Sequence, residues 1–167
     1  MTMSKIARRG IDQMLNALEG VLDKGEKYAK ENDIDAAVVT NWRLAPDMLP
    51  LTSQVQIASE IAARGLARLA RGDIPSFDDL EPSFDAYRAR IADVRKIMDG
   101  LPADAIDADP DDMVDVPMGD REMTLPRIIF LQNFVLPNVY FHVTAAYLIL
   151  RNIGVPLGKR DFMAMPN

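Results

Sequence analysis

"NVYFHVTAAYLILRNIGVPLG" (residues 138–158) contains the only histidine of the chain, His142, inside an otherwise apolar run. The run reads as a helix with its stop near Asn152 and Gly154. The segment extends backwards, because residues 128–150 carry no formal charge between Arg127 and Arg151. That length is enough to span a bilayer. Gln132, Asn133, Pro137, Asn138 and His142 interrupt it, however, and polar groups are expensive in hydrocarbon. The better expectation is a helix buried at the centre of a bundle, kinked at Pro137, which lacks an N–H and clashes with the preceding turn. No membrane partner is expected.

Three further helices follow from periodicity. Ile11, Met14, Leu15, Leu18, Val21, Leu22 and Tyr28 fall on one face of a first helix that Thr2 or Ser4 can cap and that ends near Glu31 and Asn32. Residues 51–70 predict a second helix, started by Pro50 and stopped by Gly72, with a core face of Leu51, Val55, Ala58, Ala62, Leu66 and Leu69. Phe84, Tyr87, Ile91, Val94, Met98 and Leu101 mark a third. Between the first two, "DIDAAVVTNWRLAPDMLP" mixes apolar residues with turn formers and predicts an ordered connection. Before the last helix, "MVDVPM", Gly119-Asp120 and "REMTL" predict a short β-hairpin, after which Thr124 can cap the fourth helix from Leu125. Four long helices make an antiparallel bundle.

Composition narrows the function classes. A chain of 167 residues is the size of one domain. The absence of cysteine excludes disulfides, thiolate metal sites and a cysteine nucleophile. A net charge of −6 opposes binding to a phosphate backbone, so nucleic acid is not an expected partner. "MTMSKIARRGIDQML" lacks the apolar region of a secretory signal, which points to a cytoplasmic protein.

Few residues carry candidate chemistry. Asn138 and His142 are four apart and leave the same face of a helix, where they can bind one ligand together. The competing reading is a packed histidine bonded to a carbonyl or amide. "WRLAPDML" brings Trp42, Arg43 and Asp47 together before the second helix, where Arg43 can orient an anion and Asp47 can simply favour the helix dipole. Asp47 and Glu60 are the carboxylates nearest a pocket. The acidic run Asp107, Asp109, Asp111, Asp112 and Asp115 lacks the glycine and glutamate of a calcium loop and reads as a solvated loop. No phosphate-binding loop, zinc-protease motif or nucleophile elbow occurs.

"LPNVYFHVTAAYLILRNIGVPLGKRDF" together with "RLAPDMLPLTSQVQIA" resembles a bacterial domain-of-unknown-function family, number nineteen ninety-three, which is similar to the DinB/YfiT-like four-helix bundles. Many of those are metal-dependent transferases or hydrolases, with one histidine on the second helix and a pair four apart on the last. Aligning Leu150-Arg151 and Gly154 places that pair on Asn138 and His142, while the second helix offers only Gln54 or Gln56. The resemblance therefore implies an all-α, DinB-like up-down-down-up bundle with a short β-hairpin before the last helix, and a degenerate metal site. The leading expectation is a homodimeric protein binding a small polar ligand through His142, Asn138, Gln54 and Gln56, with Trp42, Arg43 and Asp47 at the rim. The alternatives are a transferase or hydrolase holding a divalent metal, Zn or Ni, on His142, or a structural dimer.

Overall fold

A computed structural model of the chain describes residues 1–119 and 121–165, with only the backbone described at Met118. Asp120, the second residue of the expected hairpin turn, lies outside the described residues.

Helix α1 (Met3–Glu31) starts where the Thr2 hydroxyl accepts from the Lys5 N–H at 3.4 Å, and its predicted face from Ile11 to Leu22 is buried. A short helix, α2 (Ala36–Thr40), lies in the connection for which no regular element is expected. Asp35 caps it by accepting from the Ala37 N–H at 2.8 Å, and burial of Val39 and Thr40 anchors it. Helix α3 (Leu51–Leu69) follows Pro50, with all six predicted core residues buried. Its stop depends on Arg71, which takes the positive φ of 53° expected of a glycine, while the Gly72 N–H reaches back to the Ala67 carbonyl at 3.0 Å. Helix α4 (Phe84–Gly100) is capped by Ser83, and a one-turn α5 (Ala103–Ile106) follows.

Strands β1 (Met113–Met118) and β2 (Arg121–Pro126) pair antiparallel, with Met113 opposite Pro126. Here one expectation fails. Thr124 does not cap the last helix: it lies in β2 opposite Asp115, and its hydroxyl donates to that carboxylate at 2.7 Å. Because the ladder holds Leu125 and Pro126 in the strand, helix begins only at α6 (Arg127–Phe130). A π-helical turn, Leu131–Val135, joins α6 to α7 (Leu136–Asn152). The Leu136 N–H donates to the Leu131 carbonyl, one residue further back than in an α-helix. Pro137 has no N–H to give, so the widened turn sits where the regular ladder would break in any case. Gly154, at φ 106°, ends α7, and a Cβ there would lie 2.6 Å from the Tyr28 hydroxyl. The tail docks through Val155, Leu157 and α8 (Lys159–Phe162), whose Phe162 ring meets Tyr147 edge-on at 5.9 Å.

Around the core the long helices follow the order α1, α7, α3, α4. Helices α3 and α7 run antiparallel, with Gln54 beside His142 and Gly65 beside Val135. Helices α1 and α4 are also antiparallel: Arg88 pairs with Glu26 near one end, and Arg8 donates to the Leu101 carbonyl at the other. Thr52 and Tyr87, near the starts of α3 and α4, meet at 2.6 Å, so those two are parallel. This is the up-down-down-up arrangement. The apolar segment Arg127–Asn152, long enough to cross a bilayer, packs between α1 and α3 as a bundle helix of a globular domain.

The acidic loop is not simply solvated. Asp107 accepts from the Ser4 N–H at 2.6 Å and the Ser4 hydroxyl at 2.7 Å, placing an anion at the positive end of α1. Burial pushes its pKa up, and the bonds from Ser4 and Thr2 outweigh that and hold it below the usual range. Asp112 pairs with Arg71. Arg127, 1% exposed, donates to the carbonyls of Leu69, Ala105, Ile106 and Asp109, tying the ends of α3 and α5 to the start of α6.

Candidate functional site

His142 projects from the second turn of α7 toward the first turn of α3, and both it and Gln54 are buried, at 8% and 2% exposure. Its Nδ1 lies 2.7 Å from Gln54 Oε1. The orientation of the amide follows from its other end, since Gln54 Nε2 donates to the Leu49 carbonyl at 3.1 Å. The oxygen therefore faces the ring, and an oxygen can only accept. Nδ1 must carry the proton, which leaves Nε2 as the lone-pair nitrogen of a neutral imidazole. Burial disfavours the cation and holds the pKa below its ordinary 6.5.

Nε2 makes no hydrogen bond among the described residues, yet the one sealed side-chain polar atom without a partner among them is Arg127 Nε. The open nitrogen of His142 thus keeps a path to solvent. The Phe141 ring stands edge-on to the imidazole at 5.2 Å. On the outer face of α7, Leu44, Met48, Pro137, Tyr140, Phe141 and Leu148 line a shallow apolar hollow of about 280 Å³ whose lining does not include His142.

The other residues singled out from sequence are engaged elsewhere. Asn138 is on the same face as His142, but its Nδ2 donates to the Phe134 carbonyl within its own helix at 2.7 Å. Gln56 accepts from the Leu80 N–H at 3.2 Å and so ties down the α3–α4 connection. Trp42 donates to Asn152 Oδ1 at 2.8 Å, and Arg43 to the Met48 carbonyl at 2.8 Å. Asp47 is exposed. Of the seven, only His142 and Gln54 are hydrogen-bonded to one another among the described residues. Glu60, the other carboxylate considered, is buried between Arg64 at 2.9 Å and Arg90 at 3.1 Å.

The donor set does not fit a catalytic divalent metal of the DinB/YfiT type. Such a metal takes about three protein ligands, and no group of three histidine, cysteine or carboxylate side chains converges among the described residues. One imidazole nitrogen is open, the Gln54 oxygen is occupied by Nδ1, and the Asn138 amide faces its own backbone.

Sequence reasoning missed a second feature, a cavity of about 400 Å³ between α3 and the π-helical turn, with Arg64 and Arg68 on its wall. The spacing of those two arginines is visible in the sequence, but the π-helical turn that forms the opposite wall is not.

The family model for a domain of unknown function, DUF1993, matches residues 3–163. A crystal structure of a DinB family member protein from Shewanella denitrificans is similar at 34% sequence identity, with a TM-score of 0.86 over 96% of this chain and 91% of that one. No curated protein matches the sequence. The match over nearly the whole chain and the likeness to a DinB family structure show that the chain belongs to the DUF1993 family, within the DinB-like four-helix bundles.

Proposed function

We propose that the protein binds a small polar ligand at the open Nε2 of His142, in a DinB-like site that has lost its metal-ligand set. The observation that supports this reading is the Gln54–His142 pair. A 2.7 Å bond to Nδ1 fixes the ring, the amide is itself held by Leu49, and Nε2 is left as an acceptor of defined direction. Such a nitrogen takes a hydrogen bond from a hydroxyl, amine or thiol, and the depressed pKa keeps it neutral near pH 7. Losing one such buried hydrogen bond weakens binding by about 1–3 kcal/mol.

The single imidazole allows a direct test. A panel of small alcohols, amines and thiols is titrated into ¹⁵N-labelled protein while the His142 ring signals are followed, beside elemental analysis of untagged protein purified without chelator. Ring shifts with panel members, accompanied by backbone amide shifts at Gln54 and Phe141 that are lost in a folded His142→Gln variant, support the reading. Stoichiometric Zn or Ni that disappears in His142→Ala overturns it in favour of a metalloenzyme.

The homodimer belongs to the same proposal. It is supported by the apolar outer face of α7, where Phe141 is 59% exposed beside Tyr140 and Leu148. Sedimentation of wild type and Phe141→Glu tests it: a dimer that dissociates in the variant is expected, and a monomeric wild type contradicts it.

A further inference from the structure

A cavity of about 400 Å³ lies away from His142. Arg68 is 14 residues along α3 from Gln54, roughly 20 Å at the helical rise. Its walls are α3, the connection after it, β1 and the π-helical turn. Gly65 lets the π-helical turn come close, for a Cβ at that position would lie 2.8 Å from both Val135 methyls. Phe130 and Phe134 stack at 5.5 Å in the wall, with Val116 beside them.

Two arginines line this cavity, and they differ. Arg64 is committed: it pairs with Glu60 at 2.9 Å, donates to the Pro75 carbonyl at 3.2 Å and lies 5.5 Å from the Phe77 ring centre. Arg90 shares the Glu60 carboxylate, so a single anion already serves two cations there. Arg68 is half-buried, and its guanidinium makes no hydrogen bond or ion pair among the described residues. The Ser76 hydroxyl on the same wall is likewise unbonded among them. No carboxylate pairs with Arg68 among the described residues, and it stands in the last turn of α3.

We propose that this cavity is a second ligand site, taking a small carboxylate with an apolar body: Arg68 receives the carboxylate and the Phe130–Phe134 wall receives the body. Guanidinium matches carboxylate in planar, bidentate geometry, and a low-dielectric wall strengthens that bond. A cavity of about 400 Å³ falls in the range of small-molecule pockets. The site stands independently of the reading of His142.

The test is a titration of ¹⁵N-labelled protein with phenylacetate, 4-phenylbutyrate and octanoate at millimolar concentration, each beside its neutral amide. The expected result is that at least one carboxylate shifts the amide signals of Gly65, Ser76 and Val116, that its amide binds more weakly, and that Arg68→Gln weakens binding about tenfold or more. Arg68→Lys, which keeps the charge and loses the fork, should fall between. Arg68 makes no bond that folding depends on, so both variants should keep the wild-type spectrum; if Arg68→Gln does not fold, the comparison of acid with amide on wild type decides. The site is overturned if no carboxylate shifts these signals, if acid and amide bind alike, if a folded Arg68→Gln binds as well as wild type, or if the shifts centre on His142.

Discussion

Two polar side chains are buried in the apolar segment that runs from α6 to the end of α7, and they are buried in opposite ways. Arg127 is closed off: its terminal nitrogens meet four backbone carbonyls and its Nε is sealed without a partner. His142 is half closed, with one nitrogen locked to Gln54 and the other open. The first group spends its donors on chain ends, where helix C-terminal carbonyls favour a cation. The second is oriented by the protein and left with chemistry to offer. A saturated buried group is a tie within the fold; a fixed and half-saturated one is a candidate site.

The most severe way to break the comparison is at the tie. Arg127→Met leaves four carbonyls short of donors and should destabilise the protein by about 3–4 kcal/mol in chemical denaturation. A loss below about 1 kcal/mol would mean that water replaces the guanidinium and that the tie is not structural. Next comes Gln54→Leu, which strands the buried Nδ1–H. The expected cost is about 1–3 kcal/mol, together with loss of the tautomer preference as read by ring ¹⁵N shifts. Unchanged shifts would show that something other than Gln54 holds the ring.

A smaller effect is expected at the histidine itself. In His142→Gln the new amide can still donate to Gln54, so stability should change by no more than about 1 kcal/mol while the ligand-induced backbone amide shifts at Gln54 and Phe141 vanish. Large destabilisation would move His142 into the same class as Arg127. The smallest effect concerns pH. The unfolded imidazole titrates near its ordinary 6.5 and the folded one lower, because burial disfavours the cation. Its contribution is therefore present above 6.5 and lost as pH falls toward the folded value. Between about pH 7.5 and about pH 5, wild type should lose slightly more stability than His142→Gln, the carboxylates being common to both. Equal losses would show that the ring is not desolvated.

Legibility in the sequence follows the same division. The helices were readable because periodic apolar faces are local patterns: every predicted core residue of α3, and Phe84 through Met98 on α4, is buried. The hairpin is readable from its composition, both strands to within one residue, but Thr124 also reads as a helix cap because a hydroxyl before an apolar run has the same local pattern in a strand. The resemblance placed Gln54 and His142 in one site, and the structure puts them in contact. It could not say that Asn138 turns back to Phe134, since that depends on the π-helical turn ahead of Pro137. Nor could it show that Arg68 is free while Arg64 is paired, because Glu60 and Arg90 meet only across the α3–α4 packing.

The central claim is that His142 is a neutral imidazole with its proton fixed on Nδ1 and its lone pair presented at Nε2. With a single histidine in the chain, a long-range ¹H–¹⁵N correlation spectrum near pH 7 reads this without assignment. The account predicts a protonated, pyrrole-like Nδ1 and an unprotonated, pyridine-like Nε2. A proton on Nε2, or two averaged nitrogens, would contradict it.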